Sequence, residues 1–279
     1  MRKSAFRARG PHHPSPPPDR KGSYMKSSSR LVIATISIAI LAGVTDSVQA
    51  QDKYALTGNA AVVSDYRYRG ITQTRFDPAL QVGADLGLPN GLYAGVWATN
   101  IKWIKDAGGK GSSEIDLYGG YKTELSKDLL LDIGVLRYQY PGNNYKQIPG
   151  TNNDNANTTE LYGALSFGPA TIKYSHATTS LFGYKNSKGS GYLDLMASFD
   201  LGGGWTIVPH LGRQTVDGAG NGKYSYTDYS LAVTKDWSGV LLGLSWVGTD
   251  VKDKADFMNP VNGKFTGKSG IVLSGKYNF

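Results

Sequence analysis

The chain closes on an alternation that suits a β-strand with two unlike faces. Ile271, Leu273, Gly275, Tyr277 and Phe279 fall on one face, and Val272, Ser274, Lys276 and Asn278 on the other. Period two over this length is the pleat of a strand. The sequence stops at Phe279, on the apolar face, with no later residue to cover that face. Two surroundings satisfy it. One is the core of a soluble β-protein, with this segment as an edge strand. The other is lipid around a transmembrane barrel, where the last aromatic sits at the interface.

The preceding residues favour the second. Strands are expected over 54–68, 78–88, 92–103, 113–125, 128–140, 158–167, 170–180, 191–201, 205–216, 223–234, 239–249 and 267–279, separated by Gly, Pro and Asn turn signals such as Pro89-Asn90-Gly91 and Gly202-Gly203-Gly204. The connections alternate strictly. Short ones lie near 89–91, 126–127, 168–169, 202–204 and 235–238, and longer polar ones near 69–77, 104–112, 141–157, 181–190, 217–222 and 250–266. Short periplasmic turns and long external loops in that order define an antiparallel transmembrane β-barrel of about twelve strands over residues 51–279, an all-β fold. Both termini then fall on the short-turn side, and the strand count is even. Mean hydropathy is −0.32, which does not exclude such a barrel, because half of every strand is polar.

Residues 1–50 have a different character. Met1–Tyr24 is basic and Pro-rich, reading as a disordered extension or a mis-assigned upstream segment, with Met25 the true start. Lys26 and Arg30, the apolar run Leu31–Leu41 and the small residues Val48-Gln49-Ala50 compose a secretory signal over 25–50, with cleavage expected after Ala50 and export through the inner membrane to the outer membrane. Eight of the chain's 30 Lys/Arg and two of its 22 Asp/Glu lie in residues 1–50, so the overall +8 shrinks to +2 beyond them. The basic excess belongs to the leader and gives no argument for nucleic acid. With no Cys, disulfides, thiolate nucleophiles and a lipoprotein anchor are ruled out.

Strand patterns assign faces. In 113–125, Ile115, Leu117, Gly119 and Tyr121 alternate with Glu114, Asp116, Tyr118, Gly120, Lys122 and Glu124. In 191–201, Leu193, Leu195, Ala197 and Phe199 alternate with Asp194, Met196, Ser198 and Asp200. The apolar set is expected to face lipid and the polar set the lumen. Lumenal acids are then Asp65, Asp85, Glu114, Asp116, Glu124, Asp132, Glu160, Asp194, Asp200 and Asp228, opposed by Arg67, Arg69, Lys102, Lys122, Lys173 and Lys276. Carboxylates in excess favour cations in a narrow pore. The five Trp, at 97, 103, 205, 237 and 246, are expected near strand ends, in interfacial girdles. Loops 141–157 or 250–266, folded inward, would narrow or close the pore.

The ending resembles the C-terminal strand of bacterial outer-membrane barrels, recognised by the barrel-assembly machinery through its terminal Phe, here Phe279. Ala61–Thr74, with its Ser-Asp-Tyr-x-x-Arg-Gly box (Ser64, Asp65, Tyr66, Arg69, Gly70), followed by Gly91-Leu92-Tyr93-Ala94-Gly95-Val96-Trp97, resembles the TorF-type porins, a Gram-negative family. The similarity covers the mature chain and is strongest over 55–140. It implies an outer-membrane pore in contact with lipid, passing ions or small polar solutes, and brings no cofactor and no catalytic residues. Two readings of the box stay open. Asp65, Arg67 and Arg69 form a charged constriction near the external mouth, or Asp65 and Arg69 brace the first loop by a salt bridge while Gly70 permits its bend. Candidate pore-lining residues are Asp65, Arg67, Arg69, Glu114, Asp116, Lys122, Asp194, His210 and Asp228.

Catalysis has little to build on. Ser175 and His176 are adjacent, hence on opposite faces of a strand, and Thr178 stands where a lipid A deacylase pattern needs Ser. His210 is read as a lone lumenal His. Two His and no Cys outside the leader give too few nitrogen and sulfur ligands to suggest a transition-metal site, and the polar loop Thr151–Thr158 has a single carboxylate, Asp154. The expectation is a porin without cofactor, metal or covalent step. A closed structural or surface-interaction barrel and an outer-membrane lipid-modifying enzyme are its rivals.

Overall fold

The computed structural model describes residues 54–279. The signal peptide expected over 25–50, its cleavage site and the extension over 1–24 lie outside the described residues. Strands in chain order are β1 (Ala55–Val63), the short pair β2 (Arg67–Tyr68) and β3 (Ile71–Thr72), β4 (Ala79–Gly87), β5 (Leu92–Asn100), β6 (Ser113–Ser126), β7 (Leu129–Gln139), β8 (Thr158–Phe167), β9 (Ala170–Ala177), β10 (Gly191–Ala197), β11 (Phe199–Gly202), β12 (Trp205–Thr215), β13 (Tyr226–Trp237), β14 (Val240–Thr249) and β15 (Gly270–Asn278). A four-residue helix, α1 (Trp103–Asp106), lies between β5 and β6. No described helix is long and apolar enough to cross a membrane.

Around the ring the order is β1, β4, β5, β6, β7, β8, β9, β10 continued by β11, β12, β13, β14 and β15. β15 pairs antiparallel with β1, from Asn59 opposite Asn278 to Val63 opposite Ser274, and shuts the cylinder. β10 and β11 are one stave interrupted at Ser198, so the described residues form a closed antiparallel barrel of twelve staves. Closure leaves no edge with unpaired backbone groups. The alternating polar pattern therefore has an inside to fill.

That inside and outside follow the sequence. Leu56, Val62, Leu117, Leu195, Leu244 and Leu273 are exposed on the outer surface, Leu244 at 50%, while Glu114 and Asp116 are buried at 2% and 1%. A monomer in water rarely bears so continuous an apolar surface; hydrocarbon solvates it without cost. At the closing seam the Phe279 ring lies over Gly58, where a Cβ would sit 2.5 Å from the ring, so the absent side chain at Gly58 seats the terminal aromatic.

Several strands end sooner than their patterns suggest. β1 stops at Val63 rather than running to Tyr68, and β5 stops at Asn100, giving way to α1. Lys102 therefore precedes α1, beside Asp77 in the loops, and is not a lumenal strand residue. Trp205, Trp237 and Trp246 are exposed on the outer surface. The girdle expectation fails for the other two. Trp97 is buried inside against Tyr66, with ring centroids 5.6 Å apart, and Trp103 packs in α1 on Tyr140 and Tyr145. An inward Trp appears where a loop fills the lumen and offers it an apolar partner.

Candidate functional site

The loop that fills the lumen is the first one, 64–78. Ser64 holds the end of β1 on β15: its N–H donates to Leu273 O at 2.9 Å and its Oγ accepts from Leu273 N–H at 2.9 Å. The chain then turns inward. Asp65 accepts hydrogen bonds from Thr72 Oγ1 and, at 3.3 Å, from Thr74 Oγ1, and pairs with Arg67. These contacts brace a small hairpin in which Arg67 faces Thr72 and Tyr68 faces Ile71. Its two turn residues, Arg69 and Gly70, have φ of 46° and 79°, the left-handed pair that a two-residue hairpin demands. Gly70 is also pressed on the wall: a Cβ there would lie 2.5 Å from Thr249 Cγ2 and 2.8 Å from Asp228 Cβ.

From that tip Arg69 reaches the side of the ring opposite β1. Its Nη2 donates to both oxygens of Glu160 on β8, at 2.9 and 2.8 Å, and its Nη1 to Gln214 Oε1 on β12, at 2.5 Å. The guanidinium lies over the rings of Tyr192, at 4.2 Å, and Tyr68, at 4.8 Å. Both partners of the pair are almost wholly buried. Arg67 fixes the hairpin's other flank, donating to Gly70 O and Lys268 O at 3.0 Å each, while Thr72 N–H donates to Thr266 O at 3.0 Å. Loop 250–269 thus backs the hairpin. The expectation named 141–157 or 250–266 as the loops that narrow the pore; residues of both, Tyr145 and Phe257 among them, line the space above the hairpin, while the segment that reaches across to Glu160 and Gln214 is 64–78. The expected Asp65–Arg69 brace is corrected, since Asp65 pairs with Arg67, and Arg69 with Glu160.

Beneath the hairpin the walls carry the remaining charged groups. Tyr66 Oη donates to Glu114 at 2.7 Å. Asp116, one step deeper on β6, has neither carboxylate oxygen hydrogen-bonded. Lys122 stands 3.6 Å from Asp132, which accepts from Tyr93 Oη at 2.6 Å. His210 lies between Asp194, at 3.1 Å from Nε2, and Asp228, at 3.7 Å from Nδ1, and Tyr192 Oη donates to Asp228 at 3.0 Å. His210 is therefore one member of a carboxylate cluster rather than solitary. Ser175 is buried inside and His176 exposed outside, as their adjacency requires. Asp154 accepts from Ser180 Oγ at 2.7 Å, and this bond, with help from Asn155 N–H and Lys146, holds its carboxyl below the usual carboxylate range.

Above the hairpin, at the long-loop end, lies a cavity of about 230 Å³. Tyr68, Arg69 and Gln214 contribute to its lining, together with Trp103, Tyr145, Phe182, Tyr184, Tyr224 and Phe257. Tyr184 and Tyr224 stack at 4.3 Å, and Trp103 meets Tyr140 and Tyr145 edge to face at 5.2 Å each. Burial pushes the Tyr145 and Tyr184 hydroxyls up, so both stay neutral. The sequence signalled the box but not its partners: Glu160 and Gln214 lie 91 and 145 residues from Arg69. An Arg-Gly pair between short extended segments was the available sign of a hairpin.

The barrel is similar in fold to the KdgM porin, with TM-score 0.50 and 7% identity over 81% of this chain and 99% of that one. The NanC porin gives TM-score 0.49 and 12% identity over 81% and 99%, and Pseudomonas aeruginosa OprD gives 0.37 and 13% over 80% and 66%. At these identities the likeness to KdgM shows the fold alone. No curated protein matches the chain in sequence. Residues 47–279 match the family described as "Bacterial protein of unknown function (Gcw_chp)", and the chain belongs to that family.

Proposed function

We propose that this protein is an outer-membrane porin of the TorF type, through which ions or small polar solutes diffuse passively past a constriction made by the hairpin 64–78. The observation that carries this reading is a closed ring of twelve staves with an apolar outside and a charged lumen. Across that lumen the hairpin tip docks through the Arg69 guanidinium on Glu160 and Gln214, while its base sets Tyr66 and Tyr68 in an aromatic cluster with Trp97 and Tyr138. Export by the leader, cleavage near Ala50, assembly through the strand ending in Phe279 and residence among outer-membrane lipids complete the reading. No covalent step and no cofactor enter it: His210 stands between two carboxylates, and the hydroxyl within its reach, Tyr192 Oη at 3.3 Å, also donates to Asp228. Asp65, Arg67 and Arg69 form the constriction. Glu114, Asp116, Lys122, Asp194, His210 and Asp228 line the path, where acids outnumber bases and a slight cation preference follows.

A second reading has its own observation. The Arg69–Glu160 pair is so deeply buried that the section at that level is filled while the hairpin is docked, as in a closed structural barrel. Single-channel recording of the purified protein in a planar bilayer separates the two. Discrete steps, with a reversal potential shifted toward cations in a salt gradient, are expected of the porin. A barrel that inserts and never conducts overturns it.

A further inference from the structure

The cavity above the hairpin has properties that the constriction does not need. Every charged side chain lining it is already paired: Arg69 with Glu160, Asp106 with Arg75, and Asp256 with Lys223 at 2.7 Å. An ion entering would lose its water and find no unpaired opposite charge. Three polar groups of the lining behave otherwise: the hydroxyls of Tyr145, Tyr184 and Tyr226 make no hydrogen bond within the described residues. A purely apolar or aromatic guest would leave all three unpaired. Between these groups the surface is ring faces and edges: the Tyr184–Tyr224 stack, Phe182 and Phe257. The complement is a molecule with apolar ring faces, several hydroxyls around its edge and no charge.

We propose that this vestibule binds a neutral saccharide, one ring seated on the Tyr184–Tyr224 stack and its oxygens accepting from the hydroxyls of Tyr145, Tyr184 and Tyr226. The inference rests on the porin reading in treating the sugar as a solute entering from the long-loop end; binding itself does not require conduction.

Equilibrium dialysis of detergent-purified protein against labelled glucose, maltose, galacturonate and glucosamine tests it. Saturable binding of glucose or maltose is expected, with the two charged sugars weaker. Tyr184→Phe keeps the ring against Tyr224 but deletes the hydroxyl, and should weaken maltose binding about tenfold, the worth of one hydrogen bond. Tyr145→Phe should weaken it by a similar factor. Folding of each variant is checked by its heat-modifiable migration. A folded protein that binds neither neutral sugar, binds the charged ones as tightly, or is indifferent to both Tyr184→Phe and Tyr145→Phe overturns the proposal. Binding with no channel steps supports the sugar site and overturns the porin reading. Steps with no binding do the reverse.

Discussion

On β6, Leu117 and Tyr121 point outward and are exposed, while Glu114 and Asp116 point inward and are buried. The same strand thus writes two surfaces one residue out of step, and the two are specified in different ways. The outer one asks of each residue only that it be apolar, because lipid fits any shape. The inner one asks for particular partners: Arg69 needs Glu160, Tyr66 needs Glu114, and Arg67 needs Asp65 and the carbonyls of loop 250–269. Substitution outside should therefore be graded by polarity and depth, and substitution inside by the partner lost.

The largest expected effect is on the outside. Leu244 is central in β14 and half exposed. Leu244→Arg should cost about 2–4 kcal/mol if hydrocarbon surrounds it, and a like change near a strand end about 0–1 kcal/mol. Denaturant unfolding in lipid vesicles measures both. Equal costs at the two depths would break the assignment of this face to the bilayer.

Inside, Arg69→Ala should act on the hairpin and spare the wall. Deleting one partner of a buried pair usually costs several kcal/mol, because the other charge is stranded. Here Tyr66 and Arg67 still hold the base of the hairpin, but a freed tip would admit water to Glu160, so the loss should be nearer the worth of charged hydrogen bonds, about 1.5–3 kcal/mol. The barrel ladder, made by backbone groups, should persist. Single-channel conductance should rise and heat-modifiable migration stay normal. Unchanged conductance would show that the hairpin does not set the constriction.

The same contrast explains what could be read in advance. Period two is a local property, so the apolar face of 191–201 and the closing strand were legible residue by residue, as were the short turns at Pro89-Asn90-Gly91 and Gly168-Pro169. Leu193, Leu195 and Phe199 are exposed as the pattern requires. The lumen was legible only as a list of polar positions. Arg67 and Tyr68 continue the alternation of β1 on paper, and nothing within a few residues says that Ser64 ends the stave and Asp65 turns the chain inward. That turn depends on Thr72, Thr74 and loop 250–269. Trp97 went wrong for the same cause: whether a Trp points to lipid or lumen depends on Tyr66 arriving from another loop. Pairings at long sequence separation are set by the closed ring and leave no local periodicity to read.

The smallest expected effect lies at the external rim, where neither lipid nor a buried lumen decides. Asp106 at the end of α1 accepts from Asn259 at 2.6 Å and pairs with Arg75, tying the second long connection to the first and the last. Burial alone would raise its carboxyl, but the bonds from Arg75 and Asn259 outweigh that and hold it below the usual carboxylate range. A carboxyl lowered in the folded state contributes stability that is present above its unfolded value, about 3.9, and is lost as pH falls through the lowered folded value. From pH 7 down to 5 the rim should therefore stay tethered, and below about 4 it should loosen. Trypsin does not work there, so pepsin cleavage near α1, followed between pH 4 and 2, is the measurement. Cleavage should accelerate as pH falls, beyond pepsin's own pH response on an unfolded substrate, and Asp106→Asn should lose much of that acceleration. If Asp106→Asn kept the whole of it, the tether would not be what acid releases, and the rim would be held by the aromatic contacts of Trp103 instead.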